Sequence, residues 1–211
     1  MHANVYHHRL KPLDIQDSID LLTSITVNID FTANTKETLA ELCAGIPLAL
    51  VIAATLLLDA DSYCPKELVD LLDKDRLEAM SKNNYCKEQQ VHHVIKSSVD
   101  RLRCILKNEY IKLSVIPSSF NADAVAHILE LPDNNPALAK QNVLIPLAIR
   151  SLVARDVLCD RFDIHDFLRE YLSDELSSLP KEQLLSLRNR YCVFLREAAP
   201  GYSTSRRRRI V

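Results

Sequence analysis

Glycine is almost missing from this sequence: its 211 residues contain two, Gly45 and Gly201. Two glycines so far apart cannot build a glycine-rich phosphate cradle, and no G-x-x-x-x-G-K-S/T run occurs. The serine-hydrolase elbow, which flanks its nucleophile with glycines on a sharp turn, is excluded on the same ground. Long hydrophobic runs are missing too. The most apolar stretch, Ile46 to Leu58, stops at Asp59 and Asp61 and is preceded by Glu41, whereas a bilayer span needs about 20 apolar residues. It reads as a buried core helix. No segment combines a basic start, an apolar stretch and a small-residue cleavage site, so a cytoplasmic location without a membrane anchor is expected. With 26 basic and 28 acidic residues the net charge is -2, which gives no chain-wide attraction to nucleic acid. The six cysteines, at 43, 64, 86, 104, 159 and 192, never approach metal-ligand spacing. No metal site is expected, and the cysteines read as buried, reduced thiols.

What remains is leucine-rich, 47% hydrophobic and 26% charged, a composition that predicts a mostly helical globular chain with one large domain or two small ones. Residues 1–12 form an irregular N-terminus, in which His7 and His8 are a weak metal signal because adjacent side chains diverge. Residues 13–80 read as a helical subdomain and 85–176 as a second module, the polar stretch Ser81 to Gln90 separating them. Residues 177–199 form a trailing helix after Pro180 and the start of a further helical module. Residues 200–211, with Arg206 to Arg209, form a basic disordered tail.

Leu39, Leu42, Cys43, Ile46 and Leu50 recur at helical spacing, with Thr35 as the expected cap. Pro47 breaks this pattern. Its ring disfavours helical geometry at the preceding residue, so a break is expected at Gly45-Ile46, with Pro47 opening a new helix that runs to Leu58. The uncapped start of such a helix offers backbone groups to an anion, a base edge or another loop. Pro65 starts a further helix with Leu68, Leu71, Leu72 and Leu77 as its apolar face. A helix carrying Val91, Val94, Ile95, Val99, Leu102 and Leu106 opens the second module. A turn at Ser118 to Asn121 leads to a helix with Val125, Ile128 and Leu129, and the 137–153 segment is helical with Pro146 as a local irregularity. Leu152 to His165 reads as a short hairpin. Helices, a hairpin and a further helix make a winged-helix-like arrangement. At its end, His165 is placed to donate a ring N–H to a phosphate or a carbonyl, and Asp166 to cap the next helix; a capping aspartate beside a packed histidine is the plainer alternative. The candidate recognition helix, Ala122 to Glu130, has no lysine or arginine, and 137–153 has only Lys140 and Arg150. Base reading is therefore not expected.

Three segments together resemble one family. Gly45-Ile46-Pro47-Leu48-Ala49-Leu50 resembles the "G-L-P-L-A-L" motif of the NB-ARC family, the nucleotide switches of apoptosis and plant immune receptors. Tyr110 to Pro117, followed by Phe120, resembles the "lsvFp" segment of its winged-helix domain. Ile164-His165-Asp166-Phe167-Leu168-Arg169-Glu170 resembles its "M-H-D-L-L-R-E" signature. The resemblance covers about residues 10 to 176. It implies a mainly α fold, with an ARC1-like helical bundle over 13–80 and a winged-helix-like domain with a short β-hairpin over 85–176. By the same resemblance Gly45 sets a close loop, Pro47 packs on the adenine and His165 reaches the β-phosphate of ADP. The family's phosphate loop and magnesium ligands lie in an upstream nucleotide-binding domain whose motifs these residues do not hold. The chain is thus expected to be the C-terminal part of an ADP/ATP switch in intracellular signalling, with that domain as its partner and a homo-oligomer as its activated form. Alone, it is expected to hydrolyse no ATP and to bind ADP weakly. A helical adaptor without nucleotide binding is the alternative.

Overall fold

The computed structural model describes residues 11–59, 63–81 and 87–198. Among them the chain is mainly helical, with one two-stranded antiparallel sheet. It divides into two units, Met1–Ser98 and Val99–Val211. The division falls inside helix α5 (Lys87–Asp100), downstream of the polar stretch expected to hold it. Residues 82–86 of that stretch lie outside the described residues, as do His7, His8, Cys86 and the Arg206 to Arg209 tail. Among the described residues no helix is long and apolar enough to cross a membrane.

In the first unit, α1 (Ile15–Ile25) packs on α2 (Ala33–Leu42) and α3 (Pro47–Leu58), and α2 packs on α4 (Pro65–Ser81). Asp14 starts α1 by accepting the Asp17 N–H at 2.8 Å, which satisfies a donor the helix cannot reach itself. Helix α2 is capped by Thr32, which accepts the Thr35 N–H at 3.2 Å. The expected cap, Thr35, is three residues inside, because an N-cap side chain serves the amide two or three positions on. Helix α3 is apolar on every side, and Ala49, Leu50, Ile52, Ala53, Ala54, Leu56 and Leu57 are all buried. A helix of that kind must lie inside a unit rather than on it. Of the apolar face expected on α4, Leu68 and Leu72 are buried while Leu77 is exposed.

The helix expected from Val91 to Leu106 is two, and the second unit begins in the last turn of the first of them. Helix α5 ends at Asp100, and α6 (Cys104–Leu113) begins after Arg103. A turn closed by the Leu102 N–H on the Val99 carbonyl, at 3.1 Å, lets Leu102 stay buried on a new axis. Asn121 caps α7 (Ala122–Ile128) through the Ala124 N–H at 3.1 Å. A short helix α8 (Pro136–Ala139), a π-helical turn (Lys140–Leu144) and α9 (Ile145–Ile149) follow. The Ile145 N–H reaches the Lys140 carbonyl, a five-residue step. Pro146 follows directly and has no N–H to give, so the wider turn absorbs its ring without breaking the segment. Strands β1 (Ala154–Asp156) and β2 (Arg161–Asp163) form the hairpin, with Arg155 opposite Phe162. Phe120 pairs with the other side of Phe162 through two backbone bonds of 2.7 and 2.8 Å. Helices α10 (Asp166–Ser177) and α11 (Lys181–Ala198) complete the unit, α10 against α6 and α11 against α7. Tyr110, Ile116, Leu144, Phe162 and Leu168 lie in its core.

Scarce glycine does not remove left-handed backbone. Ala44, Glu130 and Ser151 all have φ between 53° and 57° just past the ends of α2, α7 and α9, where glycine is the usual residue. Each therefore carries a small backbone cost that a glycine would not.

Candidate functional site

The Gly45 to Pro47 segment is the turn between α2 and α3. The Ala44 N–H donates to the Glu41 carbonyl at 2.9 Å, and Gly45 follows with φ +66°. Here glycine is required on two counts. The conformation is left-handed, and a Cβ would stand 2.3 Å from the Leu13 carbonyl oxygen. Leu13 also donates its N–H to the Gly45 carbonyl at 2.8 Å, tying the entry of α1 to this turn. The close loop set by Gly45 is therefore a close approach of two backbones. Pro47 is exposed at the first position of α3, Ile46 offers no side-chain cap, and the first ladder bond runs from the Leu50 N–H to the Ile46 carbonyl. The amides of Leu48 and Ala49 precede that bond, as the expected break requires. Of the residues assigned to packing, Leu50 and Ile52 are buried and Leu48 is half-buried.

His165 is exposed where β2 hands over to α10. It, rather than Asp166, is the cap: its Nδ1 accepts the Phe167 N–H at 3.3 Å, and Asp166 is already the first residue of the helix. The reason is the extended backbone of His165 (φ -57°, ψ 145°), which turns its own side chain toward the helix start. Its ring stacks on Phe167 with centroids 5.7 Å apart. With Nδ1 engaged as an acceptor, the neutral ring carries its proton on Nε2, which remains a donor.

Arg169, one turn further on, has the densest set of contacts at this junction. Its guanidinium donates to the Ile116 carbonyl, to the Ile164 carbonyl at 3.1 Å and to the Asp163 carboxylate at 3.1 Å. It thereby fastens α10 to the hairpin and to the segment after α6. Nearby, Tyr110 donates its hydroxyl to the Leu152 carbonyl at 2.7 Å, and burial pushes its phenol well above the ordinary range. Sequence reasoning gave Arg169 no role, although an arginine beside buried Leu168 on a helix with an apolar face was the available signal.

The hairpin turn is held by charge. Asp156 Oδ1 accepts the Leu158 and Cys159 N–H groups at 2.9 and 3.3 Å, and Asp160 is held by Lys140 and, at 3.2 Å, by Arg155. Bonding to the Cys159 side chain and backbone lowers the Asp156 carboxyl, and the Lys140 ammonium lowers that of Asp160. The expectation of buried thiols fails for most of the described cysteines. Cys43 is buried, whereas Cys64, Cys104, Cys159 and Cys192 are exposed, because each sits on the solvent side of its element or in a turn. Among the described residues no cluster of three or more His, Cys, Asp or Glu could hold a metal ion.

Gly45 and Pro47 are thus neighbours in the first unit, and His165 stands in the second. No protein-family model matches the sequence, and a search of curated proteins finds no match.

Proposed function

We propose that the chain supplies two helical modules of an NB-ARC-type ADP/ATP switch, an ARC1-like bundle in the first unit and a winged-helix-like domain in the second. The observation that carries this reading is the chemistry at the two motif junctions. An exposed Pro47 stands over the uncapped start of α3, and an exposed His165 has Nδ1 engaged and Nε2 left to donate. The first suits the flat face of an adenine, the second a phosphate oxygen. The order α6, the Phe120 bridge, α7, the α8-to-α9 segment, β1 and β2 further supports a winged helix, with β2 as the middle strand between Phe120 and β1. A phosphate loop and magnesium ligands would come from a separate nucleotide-binding domain. In this reading the setting is cytoplasmic signalling of the apoptotic or innate-immune kind, and the chain itself is not an ATPase.

A helical adaptor without nucleotide chemistry is the second reading. The tie between Gly45 and Leu13, and the capping role of His165, give both residues structural work that needs no ligand. An ADP titration followed by backbone NMR separates the two. The switch reading expects millimolar ADP to move the amides of Leu48 and Ala49 together with that of Phe167, with no ATP hydrolysis above a buffer control. Amides that stay unmoved at saturating ADP leave the adaptor; submicromolar affinity would show that the chain needs no further domain. With a nucleotide-binding domain supplied, His165→Ala should speed ADP release, and an unchanged rate removes the role given to His165.

A further inference from the structure

Helix α11 carries a second surface, unconnected with the nucleotide reading. Its contacts with the rest of the unit use one side. Leu187 is buried, Arg190 donates to the Ile128 carbonyl at 2.7 Å and pairs with Glu130 at 2.8 Å, and Phe194 meets the His127 ring at 5.8 Å. On another side stand Glu182, Leu185, Asn189, Val193 and Arg196, all exposed, with Leu185 at 58% and Val193 at 41%. At about 100° per residue these five fall within an arc of about 80°, one stripe along the helix. Four of them, Glu182, Leu185, Asn189 and Val193, also line a groove of about 690 Å³ whose other wall is His127, Glu130 and Asn134.

The stripe is palindromic. Read outward from Asn189, the positions four residues away are both apolar, Leu185 and Val193, and those seven away carry opposite charges, Glu182 and Arg196. Laid antiparallel on itself about a two-fold axis at Asn189, the helix places Leu185 of each copy against Val193 of the other. Glu182 of each then faces Arg196 of the other, and the two Asn189 amides meet at the axis. Antiparallel helices pack along stripes of this three-and-four spacing, and a two-fold contact must be self-complementary in this way. Glu182 and Arg196 make no ion pair among the described residues, so both are free to form the crossed pairs.

We infer that this stripe of α11 is a docking surface for a second copy of the chain, forming a two-fold antiparallel helix pair centred on Asn189. The contact is short, so the association is a weak, concentration-dependent one.

Sedimentation velocity from micromolar to several hundred micromolar protein tests it. The wild-type chain should shift from monomer to dimer. Glu182→Arg and Arg196→Glu should each weaken self-association roughly tenfold, because each creates two like-charge contacts. The double variant Glu182→Arg/Arg196→Glu should recover the wild-type affinity, and an equimolar mixture of the two single variants should form a heterodimer with both crossed pairs attractive. Circular dichroism checks that these exposed substitutions leave the helix content unchanged. A wild type that stays monomeric throughout, single variants that associate as the wild type does, or a mixture that stays monomeric would each overturn the inference.

Discussion

Gly45→Ala tests whether the one glycine of the described chain is a backbone requirement. At φ +66° an L side chain adopts a left-handed conformation that costs about 1 to 2 kcal/mol. The added Cβ would meet the Leu13 carbonyl oxygen at 2.3 Å, so one of the two backbones must move. Movement loses the 2.8 Å bond from the Leu13 N–H to the Gly45 carbonyl, a further ~1 kcal/mol. Because Asp14, the cap of α1, is the next residue, the displacement reaches the packing of α1 on α2 and α3. The expected loss is about 2 to 3 kcal/mol, which at a urea slope of about 2 kcal/mol/M lowers the midpoint by roughly 1 M. Urea unfolding with hydrogen exchange, to assign the loss to the first unit, measures it. Ala44→Gly is the matched control: it relaxes a neighbouring left-handed residue with φ 55° and should leave stability equal or slightly raised, since the gain offsets a looser unfolded chain. A loss below about 0.5 kcal/mol for Gly45→Ala, within ordinary surface scatter, would refute the close-approach argument.

Arg169→Ala removes three charge-assisted bonds to the Ile116 and Ile164 carbonyls and Asp163, and should cost the second unit about 2 to 4 kcal/mol; Arg169→Lys should recover little, because one ammonium cannot span the same fork, and full recovery in thermal melts would contradict the assignment. Burial lowers the His93 imidazole below its ordinary value against the opposing pull of Asp75, 3.7 Å away. The folded state then binds fewer protons than the unfolded one, so stability should fall as pH drops from about 6.5 through the folded value, and His93→Gln should flatten that slope in urea midpoints. A wild-type profile that is flat over this range counts against it. Thiol alkylation read by mass spectrometry should label Cys64, Cys104, Cys159 and Cys192 in the folded chain and Cys43 only after denaturation, because Cys43 is buried with its thiol pushed up to about 12. Cys159, raised by its bond to Asp156, should react faster in Asp156→Asn.

Local chemistry made much of this fold legible from residues alone. Pro47 and Pro65 sit at the first positions of α3 and α4, where a missing N–H costs nothing, and the run from Pro47 to Leu58, apolar but for Thr55, is the buried helix such a composition demands. The hairpin lies within the Leu152 to His165 segment where it was expected, and Pro146 announced the irregularity that became a π-helical turn. Where expectation failed, the deciding contact was distant or depended on backbone angle. Thr32 displaced Thr35 as a cap, His165 displaced Asp166, and the break at Arg101 to Arg103 divides a run whose apolar spacing passes straight through it.

The sequence by itself determined that a glycine was needed near residue 45, that helices dominate, and that a proline starts the helix after it, because propensity, periodicity and the missing proline N–H act within one turn of chain. Tertiary structure alone decided what the glycine is for. Only the approach of Leu13, from the far side of α1 and α2 in the chain, explains why no side chain fits there. Likewise, the guanidinium of Arg169 acquires its purpose from Ile116, which folding brings to it. The exposed stripe of α11 follows the same rule: its palindrome is written in the residues, but its availability depends on which side of the helix Leu187 and Arg190 have already taken.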